Sequence, residues 1–129
     1  MLRRYPRGLT LDLAGNVIIV DRGNNRLQVL GFDGSHFTYK RTLTGGFNAP
    51  TNAAAYLGWF VVADTGNNQI KVLDPSGNLA GTYTEPDAGM LVVCPFQAPQ
   101  GVAVDLRGEI IIADTGNSRV VRIGQNVLP

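Results

Sequence analysis

The apolar positions of the chain fall in short runs bounded by Gly, Asp, Asn and Pro, and the same order of runs returns three times. The first run in each group is short and partly alternating, as in Leu9 and Leu11 or Val102 and Val104. It predicts a strand ending in a turn at Asp12-Leu13-Ala14-Gly15 or Asp105-Leu106-Arg107-Gly108. The second run is continuously apolar, over Val17 to Val20, Trp59 to Ala63 and Ile110 to Ala113, which suits a strand covered on both faces. The third, over Leu27 to Leu30, Ile70 to Leu73 and Val120 to Ile123, alternates better, with Gln28 and Lys71 between apolar neighbours. A second turn follows at Asp33-Gly34 and at Asp74-Pro75-Ser76-Gly77, and predicts outer strands over Phe37 to Arg41 and Leu79 to Thr82. Val, Ile and Thr are dense, and Gly or Pro interrupts every stretch before a helix could run three turns.

The three groups align over Pro6 to Leu30, Pro50 to Leu73 and Pro99 to Ile123. Each second run ends on an aspartate, Asp21, Asp64 or Asp114, at spacings of 43 and 50 residues. Gly15, Gly58 and Gly108 precede these aspartates by six residues, and Gly23, Gly66 and Gly116 follow by two. A four-strand unit at this period predicts an all-β chain of β-propeller blades. Blade one is expected over about residues 5–46, blade two over about 49–83 and a connecting loop over 84–97. Blade three follows over about 98–129, with its last strand short or absent. One blade cannot bury its own faces, so the series must close on itself or be covered at its ends. Two chains joined about a two-fold axis would bring blade three against blade one; a longer propeller of which this is a part is the alternative.

Composition narrows the functional classes. The 129 residues allow one modest domain. With 11 Lys+Arg against 10 Asp+Glu, the formal charge of +1 argues against a nucleic-acid partner held by bulk charge alone. Cys94 is the one cysteine and His36 the one histidine, so no intrachain disulfide and no cysteine-based zinc site is expected. The segment MLRRYPRG has no apolar stretch behind it, and no run approaches a membrane span, so a cytoplasmic location and no membrane partner are expected.

The residues around each anchor aspartate read as turn chemistry. A carboxylate at Asp21, Asp64 or Asp114 can accept backbone N–H groups of the following loop. Gly23, Gly66 and Gly116 are expected in a left-handed conformation, with Asn24, Asn67 and Asn117 also able to adopt it. Blade two departs from the pattern: Tyr56-Leu57 shortens its first turn by one residue, and Asn52 stands where the others have Gly8 and Gly101. Arg22 replaces Thr65 and Thr115, and Arg122 falls where Val29 and Val72 point into the blade. An unpaired buried charge there would not be tolerated, so Arg122 marks either a frayed blade or a pairing across an interface.

The phrases GVAVDLRGEIIIADTGNSRV (101–120), WFVVADTGNNQIKVLDPSG (59–77) and GLTLDLAGNVIIVDRGNNRLQVL (8–30) resemble NHL repeats. The resemblance implies propeller blades, most often six to a closed ring, which two copies of this chain would supply as a 3 + 3 homodimer. It also implies a structural role for the aspartate and the Gly-Asn loop. NHL propellers include binders of proteins and binders of single-stranded RNA on a basic face, and a few related lyases and hydrolases gather metal ligands near the axis.

The sequence offers little chemistry. His36 follows a tight outer turn, and Cys94 lies beside a proline in the apolar run Met90 to Phe96, so neither is in a catalytic setting. No catalytic residue, metal site or cofactor is expected; calcium held by Asn and Asp near the axis is the exception left open, with Asn52 as one candidate. The loops after the second strands carry guanidinium, amide and hydroxyl groups at matched positions: Arg22, Asn25 and Arg26, then Asn68 and Gln69, then Ser118 and Arg119. With Leu91 of the connecting loop as an apolar anchor, they predict a non-catalytic module that binds a protein or peptide. Single-stranded RNA is the alternative, with Arg3, Arg4, Arg7, Lys40 and Arg41 thickening the patch, although Tyr5, Tyr39 and Tyr56 are scattered and form no stacking platform. A lyase or hydrolase with an axial metal is the third reading, and self-association through open blade faces is expected beside all three.

Overall fold

The computed structural model describes residues 6–86 and 94–123. Among these residues, eleven strands form three antiparallel sheets, each a simple meander in chain order. Blade one comprises β1 (Pro6–Leu11), β2 (Val17–Asp21), β3 (Arg26–Phe32) and β4 (Phe37–Leu43). Blade two comprises β5 (Asn52–Tyr56), β6 (Trp59–Asp64), β7 (Gln69–Leu73) and β8 (Leu79–Tyr83). Blade three has β9 (Gly101–Val104), β10 (Ile110–Asp114) and β11 (Arg119–Ile123). The expected short last strand of blade three falls on residues 124–129, outside the described residues.

The turn chemistry explains the register. Asp12 Oδ1 accepts N–H groups of Ala14 and Asn16, and Asp105 Oδ1 accepts those of Arg107 and Glu109. Asp33 and Asp74 cap the second hairpins of blades one and two in the same way. Blade two lacks the first of these carboxylates and uses a tighter turn, with Leu57 (φ 49°) and Gly58 (φ 88°) both left-handed. That is the geometry of a two-residue turn matched to strand twist. Both outer strands begin where the sequence places them but run further, to Leu43 and Tyr83. Each passes a register shift, between Val29 and Leu30 and between Val72 and Leu73.

Two apolar layers hold the blades together. Ile18, Val20, Leu27 and Val29 of blade one pack with Ala53, Phe60, Val62 and Leu73 of blade two. Val61, Ala63, Ile70 and Val72, on the other face of blade two, pack with Val102, Ile110, Ile112, Val121 and Ile123 of blade three. Phe47 and Phe96, from the segments leading into blades two and three, each seal one layer. First strands lie against first strands, β1 beside β5 and β5 beside β9, so these strands form the inner edge of the stack.

The alternation expected of the third strands is overridden by this stacking. Lys71 is 7% exposed, because a strand between two blades has no solvent face; Gln28 is 5% exposed although it lies on the side of blade one turned away from blade two. Arg122 has a partner within its own blade. Its guanidinium reaches Glu109 in its own blade at 3.0 Å, with the arginine side chain largely exposed and the carboxylate buried.

Ile70 is fully buried, so Ile70→Ala is expected to lower unfolding free energy by about 2–5 kcal/mol. Leu106→Ala, at a fully exposed turn position, should stay within about 0.5 kcal/mol of the parent in the same urea titration. The N–H group of His36, then that of Ser35, holds the Asp33 carboxyl below its ordinary range, and the Glu109 N–H does the same for Asp105. Depressed folded-state values mean this stabilisation is present above the ordinary carboxylate pKa and is lost as pH falls through the folded value. The double variant Asp33→Asn, Asp105→Asn should therefore lose stability less steeply on acidification than the parent, as read by thermal unfolding across acidic pH.

Candidate functional site

The loops joining second to third strands carry most of the sequence-predicted site residues. Each is a single 3₁₀ turn, over Arg22–Asn24, Thr65–Asn67 and Thr115–Asn117. The residue in the left-handed region is neither the glycine nor the asparagine after it, but the next one: Asn25 (φ 54°), Asn68 (φ 55°) and Ser118 (φ 51°). Asparagine suits this conformation because a short polar side chain lowers its cost. The glycines serve a different need. A Cβ on Gly66 would lie 2.5 Å from the Asn48 carbonyl oxygen, and one on Gly116 would collide with that of Gln97. These close approaches let Gly66 and Gly116 donate their N–H groups to the same two carbonyls, each at 2.8 Å.

The anchor aspartates do not take up the backbone of the following loop. Asp64 Oδ1 accepts the N–H of Asn48, in the segment leading into blade two, at 2.7 Å. Its Oδ2 accepts the Asn67 side-chain amide at 2.8 Å. Asp114 repeats the arrangement with Gln97 N–H and the Asn117 amide. Asp21 Oδ2 accepts the Asn24 amide, while its buried Oδ1 has no partner among the described residues. The matching donor position, residue 4, lies outside them.

A cation completes each cluster. Arg26 Nε lies 3.0 Å from Asp21 and Arg119 Nε 2.8 Å from Asp114. Blade two has Gln69 at that position, and the cation comes from two residues further along: Lys71 Nζ lies 2.8 Å from Asp64 and also donates to the Gly45 and Gly46 carbonyls. The sequence reading missed Lys71, although the absence of a cation at position 69 beside an unexpected one at 71 was the signal. It also missed the repeated lead-in Phe47-Asn48-Ala49-Pro50 and Phe96-Gln97-Ala98-Pro99.

Asn25 and Asn68 face across blades. Asn25 Oδ1 accepts the Ala49 N–H and Asn68 Oδ1 that of Ala98, both at 2.8 Å, so each blade holds the lead-in of the next. Thr65 adds a hydroxyl bond to the Pro99 carbonyl at 2.6 Å. Of the predicted partner-contacting residues, Asn25, Asn68, Arg26 and Arg119 are thus engaged within the fold. Arg22 and Ser118 are exposed and Gln69 half-buried, and none of the three bonds through its side chain to another described residue. Leu91 lies outside the described residues. Asn52 begins β5 at the inner edge and turns its Oδ1 onto the Ala53 N–H. Among the described residues, no three of His, Cys, Asp and Glu gather where they could hold a metal.

The structure assembles a surface the sequence reading did not. Phe32 and Phe37 pair across β3 and β4 with ring centroids 4.7 Å apart, and the register puts Tyr39 beside them, opposite Leu30. With Leu9 and Leu11 they make one exposed apolar face on blade one, directed away from blade two. Considered as scattered tyrosines, these rings form no group; strand pairing is what joins Tyr39 to two phenylalanines. Nearby, Asn16, Gly31, Phe32, Asp33, Thr38 and Lys40 line a cleft of about 300 Å³ at the outer end of blade one.

The Asp64–Lys71 pair is buried on both sides, so removing one partner strands a charge. Lys71→Met is expected to cost about 3–5 kcal/mol in urea unfolding, and adding Asp64→Asn should recover part of that loss. A cost below about 1 kcal/mol would place the pair with surface ion pairs instead.

The NHL repeat family matches residues 4–30 and 96–123, leaving out blade two, the unit with the shortened first turn and Asn52. No curated protein matches the sequence significantly. Among solved structures, virginiamycin B lyase from Staphylococcus aureus superposes over 94% of this chain with a TM-score of 0.67 and 21% identity. An auxiliary nutrient binding protein from Bacteroides thetaiotaomicron covers 90% with a TM-score of 0.70 and 19% identity. Kuenenia stuttgartiensis hydrazine synthase covers 91% with a TM-score of 0.62 and 15% identity. The chain spans 38%, 36% and 34% of those three chains respectively, and at such identities the likeness is one of fold. With the repeat recognised in two units and the blade architecture shared along nearly all its length, the chain carries NHL repeats in a β-propeller-like fold.

Proposed function

We propose that the chain is a non-catalytic binding module that recognises a protein or peptide partner. The observation that carries this reading is the apolar face of blade one, with Leu9, Leu11, Phe32, Phe37 and Tyr39 all exposed on one side of a sheet. Contiguous apolar surface of this kind is a feature of interaction sites. Its outer strand, β4, is a sheet edge among the described residues, so an extended peptide could add to it while its side chains meet the aromatic rings. Arg22, exposed in its 3₁₀ turn, is available to a partner's carboxylate.

Single-stranded RNA is the second reading, and the same aromatic group favours it, since bases stack on exposed rings. Against it, Arg26 and Arg119 already hold the anchor aspartates. The fold neighbours include a lyase, and one neighbouring structure is described as the catalytically inactive H270A form of virginiamycin B lyase with quinupristin. In this chain the one histidine, His36, follows the outer turn of blade one, away from the inner edge where an axial site would form.

Random-peptide display against the immobilised chain, followed by fluorescence anisotropy of selected peptides, tests the reading. Phe37→Ser with Tyr39→Ser should weaken binding about tenfold or more, a loss of roughly 1.4 kcal/mol. Peptide binding unchanged in that variant would overturn the assignment of the face. Oligouridylate that binds more tightly than any selected peptide, with affinity falling steeply between low and moderate salt, would replace it with the RNA reading.

A further inference from the structure

The two joints inside the chain use the same positions. At each joint, one blade contributes a forward face and the next a rear face. The forward faces are Ile18, Val20, Leu27 and Val29 in blade one and Val61, Ala63, Ile70 and Val72 in blade two. Rear faces are Ala53, Phe60, Val62 and Leu73 in blade two, and Val102, Ile110, Ile112, Val121 and Ile123 in blade three. Each joint is closed by a side-chain amide from the left-handed loop position onto the next lead-in.

Among the described residues, blades one and three carry the unmatched halves of this joint. On the forward face of blade three, Val120 occupies the position of Leu27 and Ile70, which are both 0% exposed, and is itself 71% exposed. On the rear face of blade one, Leu9 occupies the position of Ala53 and Val102, at 4% and 8%, and is 67% exposed. Arg122 stands on the forward face with its own counter-ion, Glu109, already in place, so covering it would bury a paired charge rather than a lone one.

We propose that these two faces bind each other in trans: blade three of one copy docks its forward face on the rear face of blade one in a second copy. The occupant is a second copy because the joint is continuous with the two already formed, and each chain holds both complementary halves. The inference rests on reading the blade one face as a binding surface and names its partner. The contact is heterologous, with different surfaces on the two sides, so one pair of copies can make it twice and close, or successive copies can make it in series.

Light scattering after size exclusion, across a dilution series of the whole chain, gives the first result. A mass of twice 13.8 kDa, or one rising above that with concentration, is expected, and 13.8 kDa at every concentration would overturn the proposal. That outcome would leave blade one free for a different partner, so peptide binding by a single copy would still stand. Two variants then separate head-to-tail docking from other pairings. Val120→Asp and Leu9→Asp each sit at an exposed position, so each should keep its far-ultraviolet dichroism while the closed pair is lost. Mixed together, the two variants should recover a pair, because one retains an intact blade one face and the other an intact blade three face. Loss with only one of the two variants would indicate like-face pairing and overturn the inference, as would no recovery on mixing. Leu11→Asp and Ala113→Asp provide a second, independent pair of probes for the same two faces.

Discussion

The organisation of this chain depends on a buried carboxylate at the end of each second strand. In blades two and three it joins three separate pieces of chain: the lead-in to its own blade, the turn that follows it, and a cation from the next strand. A charge buried in an apolar stack is tolerable only when its hydrogen-bonding capacity is met in full. That requirement accounts for the turn asparagine, for a cation in every blade, and for the backbone N–H delivered by the lead-in. The left-handed asparagine and the closely approached glycine belong to the same device, since both bring a lead-in to the carboxylate's loop.

This device turns independent hairpins into a stack. A four-stranded sheet of this size has two apolar faces and no means of covering them. By holding the next lead-in with Asn25 or Asn68, each blade sets where the following sheet begins, and so which face meets which. Blade two is the outcome in full, with β6 and β7 buried on both sides. Blades one and three show the same construction with one side unmet among the described residues. The loop residues are therefore engaged mainly with the fold, and the proposed recognition surfaces are the sheet faces and edges. That inverts the usual division between scaffold and loop.

Much of the architecture was legible in the residues. Asp21, Asp64 and Asp114 with their flanking glycines gave the period, the four-strand unit and the place of every hairpin. The roles within the loop were less legible. Gly66 looks like a conformational residue, yet its surroundings require it for lack of a Cβ, and only the position of Asn48 reveals that. Lys71 reads as the polar member of an alternating strand, but in a blade enclosed by neighbours there is no water for it to reach. Arg122, at a position that is buried in two blades and open in the third, could not be placed until the third blade's outer side was seen. The aromatic group on blade one escaped notice because Phe32, Phe37 and Tyr39 come together through strand pairing.

The sequence by itself determined what is local and repeated: strand length, turn type, the anchor carboxylate and the unit that recurs. These follow from period-two patterning and turn chemistry, which act over a few residues. Tertiary structure alone decided which equivalent positions are buried, which charges are paired and which surface is left uncovered. Burial depends on whether another blade stands opposite, so Ile70 and Val120, alike in their own strands, end in opposite environments.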